Sequence, residues 1–282
     1  MLPTRFLSIV ASGLSIVALP SCLPGDTRPP PAHLLVTVKT TETSDVSTLR
    51  WTTEDGWTIT FDRVLVSVGN ASLGGGDCNG YQGGSYGRIF DMRIREPQKL
   101  SLVFGLGTCE LAYQLRPPPG GFLLGADVTE ADRDMMRAED SDAWVSAKGT
   151  SLHVEGNAVR DERVKTFAWS FREQLRFREC ALHGPALVAD EVRTIELRAH
   201  PEALFERFED EPGNALRFDP FAEADDQSDG DGAITLDELA RSAVTGSAHV
   251  TLGEEVYRGL FPRTLRVDEA TGCSFEVGGW RR

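Results

Sequence analysis

The densest chemistry in the chain lies between residues 219 and 238. That stretch carries eight carboxylates and no Lys or Arg. Like charges this close repel one another unless a cation sits among them. Gly230 and Gly232 alternate with Asp229 and Asp231, so the chain can turn tightly just where the acids are thickest. Oxygen donors gathered around one turn suit a hard divalent ion, and calcium accepts roughly six to eight of them. The bland alternative is an acidic turn that is merely solvated.

The run Gln227-Ser228-Asp229-Gly230-Asp231-Gly232-Ala233-Ile234-Thr235-Leu236-Asp237-Glu238 resembles the EF-hand calcium loop. The resemblance implies ligands at Asp229 and Asp231, the third and fifth positions, and at the Ala233 carbonyl, the seventh. Thr235 falls at the ninth and Glu238 at the twelfth, where a bidentate carboxylate closes the shell. Gly232 takes the sharp sixth position and Ile234 the apolar eighth. Thr235-x-x-Glu238 also forms a capping box for an outgoing helix. The first position departs from the pattern. Gln227 stands there, with an amide oxygen that can coordinate but carries no charge, and Asp225 or Asp226 substitutes if the incoming loop bulges. Pro220 leaves an incoming helix of little more than residues 221–225. Both departures imply binding in the weaker range of extracellular modules.

Other chemistry is sparse. The five histidines, His33, His153, His183, His200 and His249, form no i,i+2 or i,i+4 pair. His153 and His200 read as surface or hydrogen-bonded residues. There is no G-x-S-x-G, no H-E-x-x-H and no G-x-G-x-x-G before a helix, so no enzyme is expected. A net charge of -14 and a pI near 4.8 exclude nucleic acid as an expected partner.

The N-terminus speaks to compartment. Arg5 precedes an apolar run over residues 6–19, too short to span a bilayer stably. Leu19-Pro20-Ser21-Cys22 then resembles the bacterial lipobox. It implies a signal peptide over 1–21, lipidation of Cys22 and a membrane anchor in the bacterial cell envelope. Pro20 departs from the usual small or β-branched residue there. Leu23 is not acidic, which favours the outer membrane. Residues 22–32, with four prolines, read as an extended spacer. Cys78, Cys109, Cys180 and Cys273 remain, an even count that fits two disulfides in an oxidising compartment. Three pairings are possible. Cys78–Cys109 with Cys180–Cys273 is favoured, because the first pair closes the shorter loop. No CxxC spacing points to zinc or iron–sulfur.

The positioning elements are mostly strands. Residues 57–68 alternate apolar and polar over a long half-buried strand. Further strands are expected at 33–40, 88–92, 99–104, 110–115, 151–159, 164–178 and 194–199. Helices are expected at 129–138, where Thr129-Glu130-Ala131-Asp132 gives a cap-like start, at 201–208 and at 236–244. Many strands with few helices give a mainly β domain over 33–282, a β-sandwich or open barrel with two or three short helices. Residues 219–244 form its calcium-loop segment.

The order FDRVLVSVGNASL, RIFDMR, KLSLVFGLG, DAWVSAKGTSLHVEG, VKTFAWSF, TIELRAHPEALF resembles the periplasmic copper-binding β-proteins found near methanobactin genes. Phe61, Val66, Gly105, Gly107, Trp144 and Trp169 sit at its marker positions. That resemblance implies copper handling as a rival function, with His153 and Trp144 the nearest candidate ligands. A carbohydrate- or surface-binding module is a second rival. It would need exposed, coplanar Trp51, Trp57 or Trp144 to engage a glycan or protein ligand.

Overall fold

The computed structural model describes residues 29–41, 48–81, 86–137, 149–206, 215–243, 250–267 and 272–278. The expected signal peptide and Cys22 lie outside these residues. The unit from Pro31 to Arg282 is the one described below.

Eight strands come first: β1 (Ala32–Thr40), β2 (Leu49–Thr52), β3 (Thr58–Gly74), β4 (Asn79–Tyr81), β5 (Gly87–Asp91), β6 (Gln98–Leu106), β7 (Glu110–Leu115) and β8 (Leu123–Leu124). Helix α1 (Glu130–Met136) is followed by β9 (Leu152–Arg160), β10 (Arg163–Phe171), β11 (Gln174–Ala181) and β12 (Val192–Ala199). Then come α2 (Asp219–Asp226), β13 (Ala233–Ile234), α3 (Leu236–Arg241), α4 (Leu252–Glu255), β14 (Leu265–Val267) and β15 (Ser274–Gly278). The protein is mainly β, as the alternating runs predict, with four short α-helices among the described residues and two curled sheets.

The smaller sheet runs β14-β12-β1-β6-β4, with β1 parallel to β12. The larger runs β13-β10-β9-β3-β7-β11-β15, with β2, β5 and β8 branching from it. Strand β3 is its spine and pairs in turn with β2, β9, β5 and β7. The inner faces share one core in which Trp57, Trp169, Tyr113, Phe90, Phe171 and Phe205 are wholly buried. Burying aromatic side chains of this size contributes most of what holds two sheets together. A smaller cluster of Leu65, Ile89, Val128 and Met136 lies under α1.

Two disulfides close the fold, Cys78–Cys109 and Cys180–Cys273, the favoured pairing. The second spans 93 residues and ties β11 to the chain just before β15.

One expected strand, 164–178, is two. Phe167, Trp169 and Phe171 face the core from β10, and Leu175 and Phe177 from β11. The break falls at Arg172 and Glu173, a two-residue interruption that leaves the alternation in phase, so the sequence carries no sign of it. Strands β9, β3 and β7 stand between the two halves in sheet order. The helix expected at 201–208 is a 3-10 turn at Pro201–Phe205, and the one at 236–244 ends at Arg241. Strands β14 and β15 lack a long enough alternating run to be read from sequence.

Candidate metal centre

The acidic loop is held at both ends by the aromatic core. Phe218 is the N-cap of helix α2, and the amides at this end are met by a carboxylate from a distant turn. Asp55 Oδ2 accepts from Phe218 N at 2.8 Å and from Asp219 N at 2.7 Å. A negative group there satisfies orphan donors and complements the positive end of the helix dipole. The buried face of α2 sets Phe221 against Trp169, centroids 5.7 Å apart, and against Phe205 at 5.1 Å. At the outgoing end, Ile234 is buried and β13 runs parallel to β10. Trp169 Nε1 donates to the Ile234 carbonyl at 2.8 Å. Trp169 thus anchors both sides of the loop.

Between these anchors the chain folds around Asp225. Its carbonyl accepts from Ser228 N at 2.9 Å and Gly230 N at 3.0 Å. Its Oδ1 accepts from Gly232 N at 3.3 Å. Asp231 N donates to Asp229 Oδ1 at 3.3 Å, and Ala233 N to Asp231 Oδ1 at 2.7 Å. Gly230 and Gly232 take φ of 66° and 89°, left-handed values that a side chain at Gly232 would strain. One carboxylate oxygen each from Asp225, Asp229 and Asp231 lies within 4.8 Å of the others. Oxygens at that spacing can share a single cation.

Glu238 closes the loop differently. Its Oε2 accepts from Thr235 N at 2.7 Å and from Thr235 Oγ1 at 2.9 Å, completing the expected capping box. Its Oε1 is buried with no hydrogen-bond partner. Among the described residues no other carboxylate oxygen is in that condition. Glu238 as a whole is 3% exposed, and its carboxylate is not one of the converging three.

Of the expected ligands, Asp229 and Asp231 come together, and their third partner is Asp225. Gln227, the first-position residue by spacing, instead ends α2: it is exposed and its N–H donates to Glu223 O at 2.9 Å. The helix runs to Asp226, with Pro220 in its first turn, where it removes no helical bond. Asp225, one of the two substitutes named for the first position, joins the site from the last turn of this helix. The Thr235 hydroxyl is engaged in the cap, and Ala233 is exposed on β13.

Although residues 219–238 contain no Lys or Arg, several of these acids are met by protein cations. The cations come from the β9–β10 hairpin, far away in sequence. Lys165 Nζ donates to Asp225 Oδ2 and, at 2.6 Å, to Asp226 Oδ1. Arg163 pairs with Asp226, and Arg160 Nη1 lies 2.7 Å from Asp219 Oδ1. Hydrogen bonding to Lys165 is the largest influence on Asp226 and holds its carboxyl below the usual range. Burial works against the Lys165 charge, and the two aspartates more than offset it, so its pKa is raised. Asp229, Asp231 and Glu238 have no ion pair among the described residues.

The rival sites find less. His153 is engaged through both ring nitrogens, with Ser170 Oγ at 2.9 Å and Glu155 Oε1 at 2.8 Å. Trp144 lies outside the described residues. Trp57 is buried, and Trp51 is partly buried with its ring at right angles to Phe61, centroids 5.6 Å apart, so the two do not form an exposed coplanar pair. No described helix is long and apolar enough to cross a membrane. Comparison with protein-family models, with curated proteins and with solved structures finds no match.

Proposed function

We propose that the protein is an exported, lipid-anchored β-domain that binds a divalent cation, calcium, in the loop between α2 and α3, and that the ion stabilises the fold or a binding surface beside it. One observation carries the cation: three carboxylates converge within 4.8 Å while the closing glutamate keeps a buried, unpartnered oxygen. An ionised oxygen left so is costly, and a metal would supply the missing partner. All-oxygen donors at a loop of this spacing favour calcium over softer metals. The ligands would be Asp225, Asp229, Asp231 and Glu238, with the Ala233 carbonyl. The role is structural or ligand-presenting, since the loop is welded to the core through Trp169 and Phe221.

The anchor rests on the apolar run ending at Cys22, and two disulfides fit the oxidising compartment to which it leads. In a bacterial host the Cys22→Ser form should move from the membrane to the soluble fraction. Wild type found only in the soluble fraction would remove the anchor from this proposal.

Thermal unfolding tests the cation. At calcium a hundredfold above Kd, binding adds about 2.7 kcal/mol. For a chain of this size that raises Tm by about 5–10 °C over chelator. Glu238→Gln should lose most of the shift. Equal melting of wild type in calcium and in chelator would leave an acidic turn and nothing more.

A further inference from the structure

We propose that Lys165 is a built-in counter-ion of the loop, which keeps the metal-free fold intact and holds cation affinity down. This rests on the metal site proposed above. Asp225 is wholly buried, and its two oxygens face different partners. Oδ1 accepts the Gly232 amide inside the loop, and Oδ2 accepts the Lys165 ammonium. The ammonium also bridges to Asp226 Oδ1. The Lys165 side chain is only 7% exposed, so the charge cannot simply swing into solvent. Its neighbour Thr166 pairs with Ala233, which fixes β10 directly to the loop.

Without metal, the ammonium spares Asp225 the cost of a buried charge with no partner. With metal, one carboxylate would serve two cations, and those repel across the short distance it spans. The sequence offers no hint of this residue, because nothing near it in the chain is acidic except Asp161 and Glu162.

Titration calorimetry on chelator-treated protein tests the inference, with calcium as the probe. Lys165→Met keeps the aliphatic stem and removes the charge. It should bind calcium at least about tenfold more tightly than wild type. It should also melt lower in chelator, so that the gap between chelator and calcium widens. Lys165→Arg keeps the charge and should stay near wild type. Equal or weaker binding by Lys165→Met, with wild type still binding, overturns the counter-ion role and leaves the metal site standing. No binding by wild type or variant overturns the site and the inference together. Should Lys165→Met fail to fold, wild type suffices. The chain has four lysines, so their side-chain NMR signals are separable. Calcium should shift the Lys165 signal more than any other, and an unmoved Lys165 signal overturns the proposal.

Discussion

Helices α1 and α3 start with the same device and end in opposite electrostatic situations. Each has a threonine cap whose hydroxyl accepts from the amide three residues on, and an acid there that reaches back to the cap. At α1 the acid is Asp132. It accepts from Thr129 N and Oγ1 at 2.7 Å and is also paired with Arg63. Arg63 in turn holds the buried Asp91 at 3.1 Å. At α3 the acid is Glu238. It has the cap but no guanidinium, and one oxygen is left buried and unmet. Helix capping explains both acids equally. It cannot explain why one is neutralised by the protein and the other is not. On the proposed reading, the difference singles out α3 as the place where a bound cation would supply the missing charge.

The largest effect should come from taking away the compensation at α1. Arg63→Met leaves Asp132 without its cation and the buried Asp91 with Arg93 alone, and should cost about 3 kcal/mol, in calcium and in chelator alike. Denaturant unfolding under both conditions checks it. A loss that calcium repairs would merge the two helix starts and dissolve the comparison.

Next is Glu238→Gln, which should forfeit the calcium-dependent part of stability, about 2.7 kcal/mol at a hundredfold excess over Kd. In chelator the change should be small or favourable, because an unmet buried charge becomes a neutral amide. Asp132→Asn should show no such dependence on calcium.

The two caps should be worth about the same. Thr129→Ala and Thr235→Ala should each cost about 1 kcal/mol. Thr235→Ala should in addition weaken calcium binding, since it frees the side chain that closes the loop. Paired melts in calcium and chelator separate the two effects.

The smallest effect is on pH. Burial alone would raise the Asp132 pKa, but hydrogen bonds from Thr129 and the charge of Arg63 bring it below the ordinary value. A depressed folded-state pKa gives stability that is present above the unfolded value and lost as pH falls through the folded one. The stability gap between wild type and Asp132→Asn should therefore hold at pH 6 and shrink below about pH 4. A gap that widens on acidification would contradict the Arg63–Asp132 assignment.

Much of the fold is legible in the chain. Strand β7 matches its expected span, and the Thr129 and Thr235 caps form where the residue types place them. Local pattern failed where long-range pairing decides. The alternation from Phe167 to Phe177 runs in phase across the Arg172–Glu173 break, so only pairing with different neighbours reveals two strands. The loop shows the same division. Asp229 and Asp231 converge as their spacing implies, and Asp225, one of the two substitutes the sequence offers for Gln227, joins them; Glu238 stands at its expected place but outside the converging three. Lys165 enters because β10 pairs with β13. No local window contains that last fact.

A crystal structure of the protein grown in millimolar calcium tests the central claim most directly. It should show one ion between α2 and α3, bonded to Asp225, Asp229, Asp231 and Glu238 at about 2.3–2.6 Å. Glu238 Oε1 should have turned from unpartnered to coordinating, while Asp132 keeps its bond to Arg63. An empty loop under those conditions, with Glu238 Oε1 still unmet, would contradict the account.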